Sequence, residues 1–263
     1  MSPLPLLLGT WLGGAALMAV LWLVQQRRRD AGIADVGWAA GLALAAVVFA
    51  VAGPGDAARR ALMATLAGLW GLRLAWHLLA DRVLGSEEDG RYRRMREHWG
   101  QRAALNFFPF FQAQALFIAL FCVPFLSVAF NARPALTPWD LLAIAVFSVS
   151  VVGETAADRQ LRRFRRNPAN RVKACRDGLW RFSRHPNYFF EWLHWWTYVL
   201  LGVGSPWWAD THLGPVLMLQ FLFRLTGIPY TEQQALVTRG SDYREYQRTT
   251  SVFIPWFPKR SLP

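Results

Sequence analysis

Runs of about 20 mostly apolar residues, the length a helix needs to cross the hydrocarbon core of a bilayer, recur along this chain. They fall at roughly 4–24, 33–52, 61–81, 107–130, 138–157, 188–204 and 208–229. The last two are interrupted by polar residues. Between them lies GVGSPWWADTHLG, a short turn carrying Trp207 and Trp208, a residue type that favours the membrane interface. The expected fold is all-α: a polytopic membrane protein with about seven transmembrane helices, forming one integral-membrane domain over residues 1–263. Composition agrees. The chain is 54% hydrophobic with 14 Trp and a mean hydropathy of +0.17, too apolar for an ordinary soluble domain. The first run, PLPLLLGTWLGGAALMAVLWLV, has no charged segment before it and no cleavage site after it. It reads as a retained span and not as a signal peptide.

A net charge of +12 could suit nucleic acid, but the cations sit in short blocks between the apolar runs. One alternate set of loops (27–29, 82–102, 158–186 and the tail from 230) carries 24 Lys and Arg, and the other only Arg59, Arg60 and Arg133. Cytoplasmic loops are the ones enriched in Lys and Arg, so the N-terminus is expected outside and the C-terminus in the cytoplasm. The partner is then the bilayer, and no nucleic acid is expected.

The segment ADRQLRRFRRNP puts Arg159, Arg162, Arg163 and Arg166 on one helical face and Leu161 and Phe164 on another, with Pro168 ending the pattern. Such a face suits either anionic headgroups or the phosphates of a cofactor. The tail EQQALVTRGSDYREYQRTTSVFIPWFP reads as a short helix, a Gly turn, a second short helix and an aromatic, Pro-containing end.

Ionisable or strongly polar residues inside or at the edge of the apolar runs are Asp35, Arg73, His77, Glu154, Asp158, Asn187, Glu191, His194 and Arg224. Burying such groups in hydrocarbon is costly, so each is a functional candidate, although any one could simply brace two helices. Glu154, Asp158, Asn187, Glu191 and Arg224 all fall in the cytoplasmic half of the last three runs, which suggests a polar pocket open to the cytosol. The five His show no HExxH or paired spacing, and Cys122 and Cys175 form no CxxC, so no metal is expected. There is no GxGxxG after a strand and no nucleophile elbow.

Three pieces, GETAADRQLRRFRRNP, DGLWRFSRHPNYFFEW and YREYQRTTSVFIPWFP, resemble the C-terminal domain of the steroid 5-alpha-reductase family, and more closely the bacterial membrane proteins of unknown function grouped with it. The likeness covers residues 150–258 and makes the C-terminal half, about 138–263, reductase-like. It implies a seven-span enzyme of the bacterial inner membrane. NADPH would lie among the cytoplasmic ends of the later spans and reduce a C=C bond conjugated to a carbonyl in an apolar lipid or steroid-like substrate. By this resemblance Glu154, Asp158, Arg165, Lys173, Asn187, Tyr188, Glu191 and Arg224 fall on cofactor-pocket positions, with Arg91 a further phosphate contact. Arginine suits phosphate through its planar, bidentate donors. Asn and Glu suit a carboxamide, since Asn offers both a donor and an acceptor and a carboxylate accepts from the amide. Asn187 and Glu191, four apart, would share a helix face. Glu191 would help fix which face of the nicotinamide presents its hydride, and Asp35 or His77 would donate to the substrate carbonyl. The chain departs from the steroid enzymes in carrying Ile228 and Glu232 where they have a His and a Tyr.

RHPNY also resembles the RHPxY signature of isoprenylcysteine carboxyl methyltransferases, membrane enzymes that bind S-adenosylmethionine. Their pattern has a Gly two residues after the Tyr and a Glu pair after the last span; here Phe190 and TEQQ stand in those places. A third class is a lipid-binding protein without catalysis.

Overall fold

The computed structural model describes residues 2–84, 88–134, 136–225 and 227–259, apart from the side chains at 81 and 82. All regular structure among them is helical. Four segments are long and apolar enough to cross a membrane: Pro3–Arg28, Ile33–Ala52, Gly90–Ala129 and Pro138–Arg166. That is the pattern of a membrane protein. The remaining apolar runs form shorter or more polar helices. Ala57–Leu78 holds Arg59, Arg60, Arg73 and His77. Pro186–Leu201 has 16 residues, about 24 Å at the helical rise against a core of about 30 Å. The last run divides into Leu213–Gln220 and a π-turn, Phe221–Leu225.

The chain forms two compact units, Met1–Asp140 with Tyr198–Gly214, and Leu141–Thr197 with Pro215–Pro263. In the first, α1 (Pro3–Arg28), α2 (Ile33–Ala52), α3 (Ala57–Leu78), α4 (Gly90–Trp99), α5 (Ala103–Phe121) and α6 (Val123–Ala129) follow in order. Small residues let the helices approach closely, the usual device where apolar helices meet in lipid. A Cβ on Gly71 would come within 2.9 Å of the Ala39 carbonyl, and one on Gly41 within 2.6 Å of the Ile118 side chain. Helix α3 starts at Asp56, whose side chain accepts from the Arg59 amide and caps the helix.

The three arginines of the sparsely charged loops are all used internally in this unit. Arg59 forms a bidentate pair with Asp140, both contacts 2.8 Å, and donates to the Arg133 and Pro134 carbonyls. Arg60 donates to the Gly55 and Ala50 carbonyls, and Arg133 to that of Val203. The few cations that break the charge asymmetry are therefore partnered by the fold.

The second unit is built on α7 (Pro138–Arg166), α8 (Pro186–Leu201), α9 (Leu213–Gln220) and α10 (Ile228–Thr249). Helix α7 continues past its apolar part through the arginines. Its expected apolar side holds: Leu161 and Phe164 pack beside Ala157, Cys175 and Trp180, while Arg159, Arg162, Arg163 and Arg166 are exposed. The tail also follows its expected form, with α10 broken at Gly240, whose φ of 54° is one that glycine adopts without strain. Helices α7 and α8 touch at Gly153, where an added Cβ would meet the Phe190 ring at 2.5 Å.

Candidate functional site

In the second unit, Pro186 opens α8, where a missing N–H costs nothing. Ahead of it, Ser183 Oγ accepts from the His185 amide at 3.1 Å and donates to the Phe253 carbonyl at 2.7 Å. Arg184 donates from Nε to Glu232 at 2.6 Å, and from Nη1 to the carbonyls of Gln247 and Thr250 at 3.0 and 2.7 Å. Glu232 is a hub. Its Oε1 also lies 3.2 Å from His185 Nε2 and accepts from the Tyr243 hydroxyl at 3.4 Å, and its Oε2 accepts from Gln247 at 2.8 Å. Burial alone would raise the Glu232 carboxyl. Hydrogen bonds from His185, Arg184 and Gln247 outweigh it and bring the pKa down to about 2. Burial holds His185 below the ordinary histidine value, against the upward pull of Glu232.

The His185 ring stacks on Tyr188, centroids 5.4 Å apart and planes within 5°, and the Tyr188 hydroxyl lies 3.4 Å from Thr231 Oγ1. The RHPNY turn is thus fixed on both sides before α8 begins.

One residue on, Asn187 Nδ2 donates to Asp158 Oδ1 of α7 at 3.2 Å. Its Oδ1 is buried and has no hydrogen-bond partner among the described residues. Glu154, 4% exposed, sits one turn before Asp158. Glu191 sits half-buried one turn after Asn187. The fold therefore joins Asp158 to Asn187, with Glu154 and Glu191 a turn away on the same two helices. An acceptor oxygen left open in a buried place is a seat for an N–H or O–H donor. Arg165 and Lys173 are exposed with the other cations beyond the end of α7's apolar part, and Arg224 is exposed on the π-turn.

In the first unit, Asp35 and Arg91 are paired with each other, a contact the sequence reading does not anticipate. Arg91 Nη2 lies 3.0 Å from Asp35 Oδ2, and the Tyr92 hydroxyl donates to Oδ1 at 2.6 Å. Asp89 accepts from the Arg91 amide and guanidinium. His77 is half-buried in the last turn of α3. Among the described residues no three His, Cys, Asp or Glu side chains gather as a metal site would require.

Arg184, His185 and Glu232 carry much of this polar network, yet none is among the pocket residues that the sequence suggests. RHPNY marks the first two, while Glu232 stands out in sequence only as a departure from the steroid enzymes. A contact between residues 48 positions apart has no local signature.

Residues 21–250 match the model of a family described as a protein of unknown function, DUF1295, and the chain belongs to that family. Searches of curated proteins and of solved structures returned no match.

Proposed function

We propose that the protein is an NADPH-dependent reductase of the steroid 5-alpha-reductase type, acting on a C=C bond conjugated to a carbonyl in a membrane-soluble lipid or steroid-like substrate. The carrying observation is Asn187: its amide nitrogen is committed to Asp158, and its buried oxygen is open. A nicotinamide carboxamide has the N–H donors that such an oxygen lacks, so the residues present fit the group. NADPH, when bound, supplies the hydride. Asn187 and Glu191 would hold the carboxamide and fix the ring's orientation, a positioning effect that lowers a barrier by several kcal/mol. Asp158 keeps Asn187 turned. The fixed RHPNY turn supports Tyr188 at the rim, and Glu154 lines the same helix. Arg165, Lys173 and Arg224 of the same unit are assigned to the phosphates; Asp35, whose oxygens accept from Arg91 and Tyr92, has no hydrogen to donate to a carbonyl.

The topology that goes with this reading has seven crossings, with α3, α8 and α9 plus its π-turn added to the four long segments. The N-terminus is outside and the C-terminus in the cytoplasm of a bacterial inner membrane. Reporters fused after residue 263 are then active in the cytoplasm, and truncation fusions at residues 55 and 133 report the outside. An external C-terminus would place the Asn187 region away from any cytosolic cofactor.

The methyltransferase reading is the second choice. What favours it is the bonding of Arg184 and His185 to Glu232, which joins the RHPxY motif to the region where those enzymes carry their Glu pair. Thermal unfolding of the detergent-solubilised protein with NADPH or S-adenosylmethionine separates the two. NADPH should raise the midpoint, and Asn187→Ala and Glu191→Gln should weaken its binding roughly 10- to 150-fold, the worth of a hydrogen bond to a charged or buried partner. Stabilisation by S-adenosylmethionine alone would replace the reductase with the methyltransferase. Stabilisation by neither would favour a lipid-binding protein.

A further inference from the structure

The C-terminal strap, residues 250–259, is the aromatic, Pro-containing end expected of the tail, and three of its large apolar side chains are exposed. Ile254, Trp256 and Phe257 are 59%, 70% and 78% exposed. The strap is nonetheless ordered by its backbone: the Arg184 amide donates to the Ser251 carbonyl at 2.8 Å, the Trp256 amide to Phe182 at 2.9 Å, and the Lys259 amide to Thr249 at 2.8 Å. Phe253 points the other way and is buried against Phe189, Trp192 and Phe223. One side of the strap is thus packed on the RHPNY turn, and the other presents three large apolar side chains beside Lys259.

The depth of this patch can be read from α7. Trp180 donates its indole N–H to the Ala157 carbonyl at 2.9 Å. Ala157 lies just where α7 changes from its apolar part to the run of exposed arginines that begins at Arg159. Phe182, two residues after Trp180, carries the strap: it accepts from Trp256, and its ring lies 6.1 Å from that of Phe257. The exposed Trp and Phe therefore sit at the changeover from apolar to basic, the level at which aromatic residues and flanking cations meet lipid headgroups.

We propose that the strap is an interfacial anchor: Ile254, Trp256 and Phe257 insert into the headgroup boundary of the bilayer that holds α7, and the backbone bonds of the strap pass that anchoring to the Ser183–Arg184–His185 turn. The partner is the lipid surface, and the proposal stands whether the protein is a reductase or a methyltransferase. It is tested on the full chain in nanodiscs of mixed phosphatidylethanolamine and phosphatidylglycerol, with Cys122 and Cys175 changed to Ala and Phe257→Cys carrying an environment-sensitive fluorophore. Quenching by lipids with a nitroxide near the headgroup, with little quenching by aqueous iodide, is expected. Quenching by iodide but not by those lipids overturns the anchor and would mark a surface facing water or a soluble partner. The coupling is read separately, without a label, in the triple variant Ile254→Ser, Trp256→Ser, Phe257→Ser. Amide exchange in the 182–187 segment should quicken roughly tenfold while the α2 peptides exchange as before, as expected for a local opening. Unchanged exchange at 182–187, or exchange that quickens equally in the α2 peptides, overturns the coupling.

Discussion

Arg59→Ala is expected to lower the stability of the solubilised protein by about 3–5 kcal/mol, the usual cost of breaking a buried ion pair from one side. Both partners are 1% exposed. Asp140 would keep its bonds from Thr137 but lose its counter-charge, and the Arg133 and Pro134 carbonyls would lose their donor. For a chain of this size the midpoint of thermal unfolding should fall by about 10 °C. The double change Arg59→Met, Asp140→Leu should recover only part of the loss: an apolar pair avoids the desolvation of both charges, but the Arg133 and Pro134 carbonyls and Thr137 stay without their partners. A fall of less than about 2 °C in the single variant would mean that the pair does not hold α3 to the start of α7.

Glu232→Gln is the second large effect. Gln can still accept, but it leaves the Arg184 guanidinium, 11% exposed, without an anion, and the expected loss is about 2–4 kcal/mol. The pH dependence identifies the cause. The folded-state pKa of about 2 lies below the ordinary 4.5, so the carboxylate's contribution is complete above 4.5 and fades as pH falls from there toward 2. On the full shift it amounts to about 3 kcal/mol. His185 acts in the same direction in a higher window. Its folded pKa is depressed below 6.5, so its contribution is complete above 6.5 and is lost on acidification through the lower folded value. Wild type should therefore lose stability below pH 6.5 and again below 4.5, and the variant's second loss should be shallower, because other carboxylates held low, Asp242 among them, still titrate there. Equal slopes below 4.5 in both proteins would remove Glu232 as the hub of the turn.

What the sequence made legible was local. Helix α2 falls on residues 33–52 as expected, because twenty apolar residues bounded by polar segments need no distant partner to define them. The arginine helix stops before Pro168 because proline cannot continue it, and the tail breaks at Gly240 because a positive φ selects glycine. The rest is long-range. Runs 188–204 and 208–229 appear as Pro186–Leu201 and as Leu213–Gln220 followed by the π-turn, Phe221–Leu225. The site divides the same way. Asn187 and Glu191 are four apart and predictably share a face, whereas the pairing of Asp35 with Arg91 joins residues 56 apart. Hydrophobic period carries no information about such a contact.

Gly153 has no chemistry of its own, yet it acts as a vernier. With the Phe190 ring seated where its Cβ would be, α7 and α8 lock at one axial offset. That offset brings Asp158 level with Asn187, five residues on from Gly153 and three back from Phe190. A slide of one helical turn, about 5.4 Å, would present Asn187 with Arg162 or Glu154 in place of Asp158, and the carboxamide would lose its fixed direction. A bulkier residue at 153 would push on the Phe190 ring, and the shift would be felt in the aim of a side chain about one and a half helical turns away.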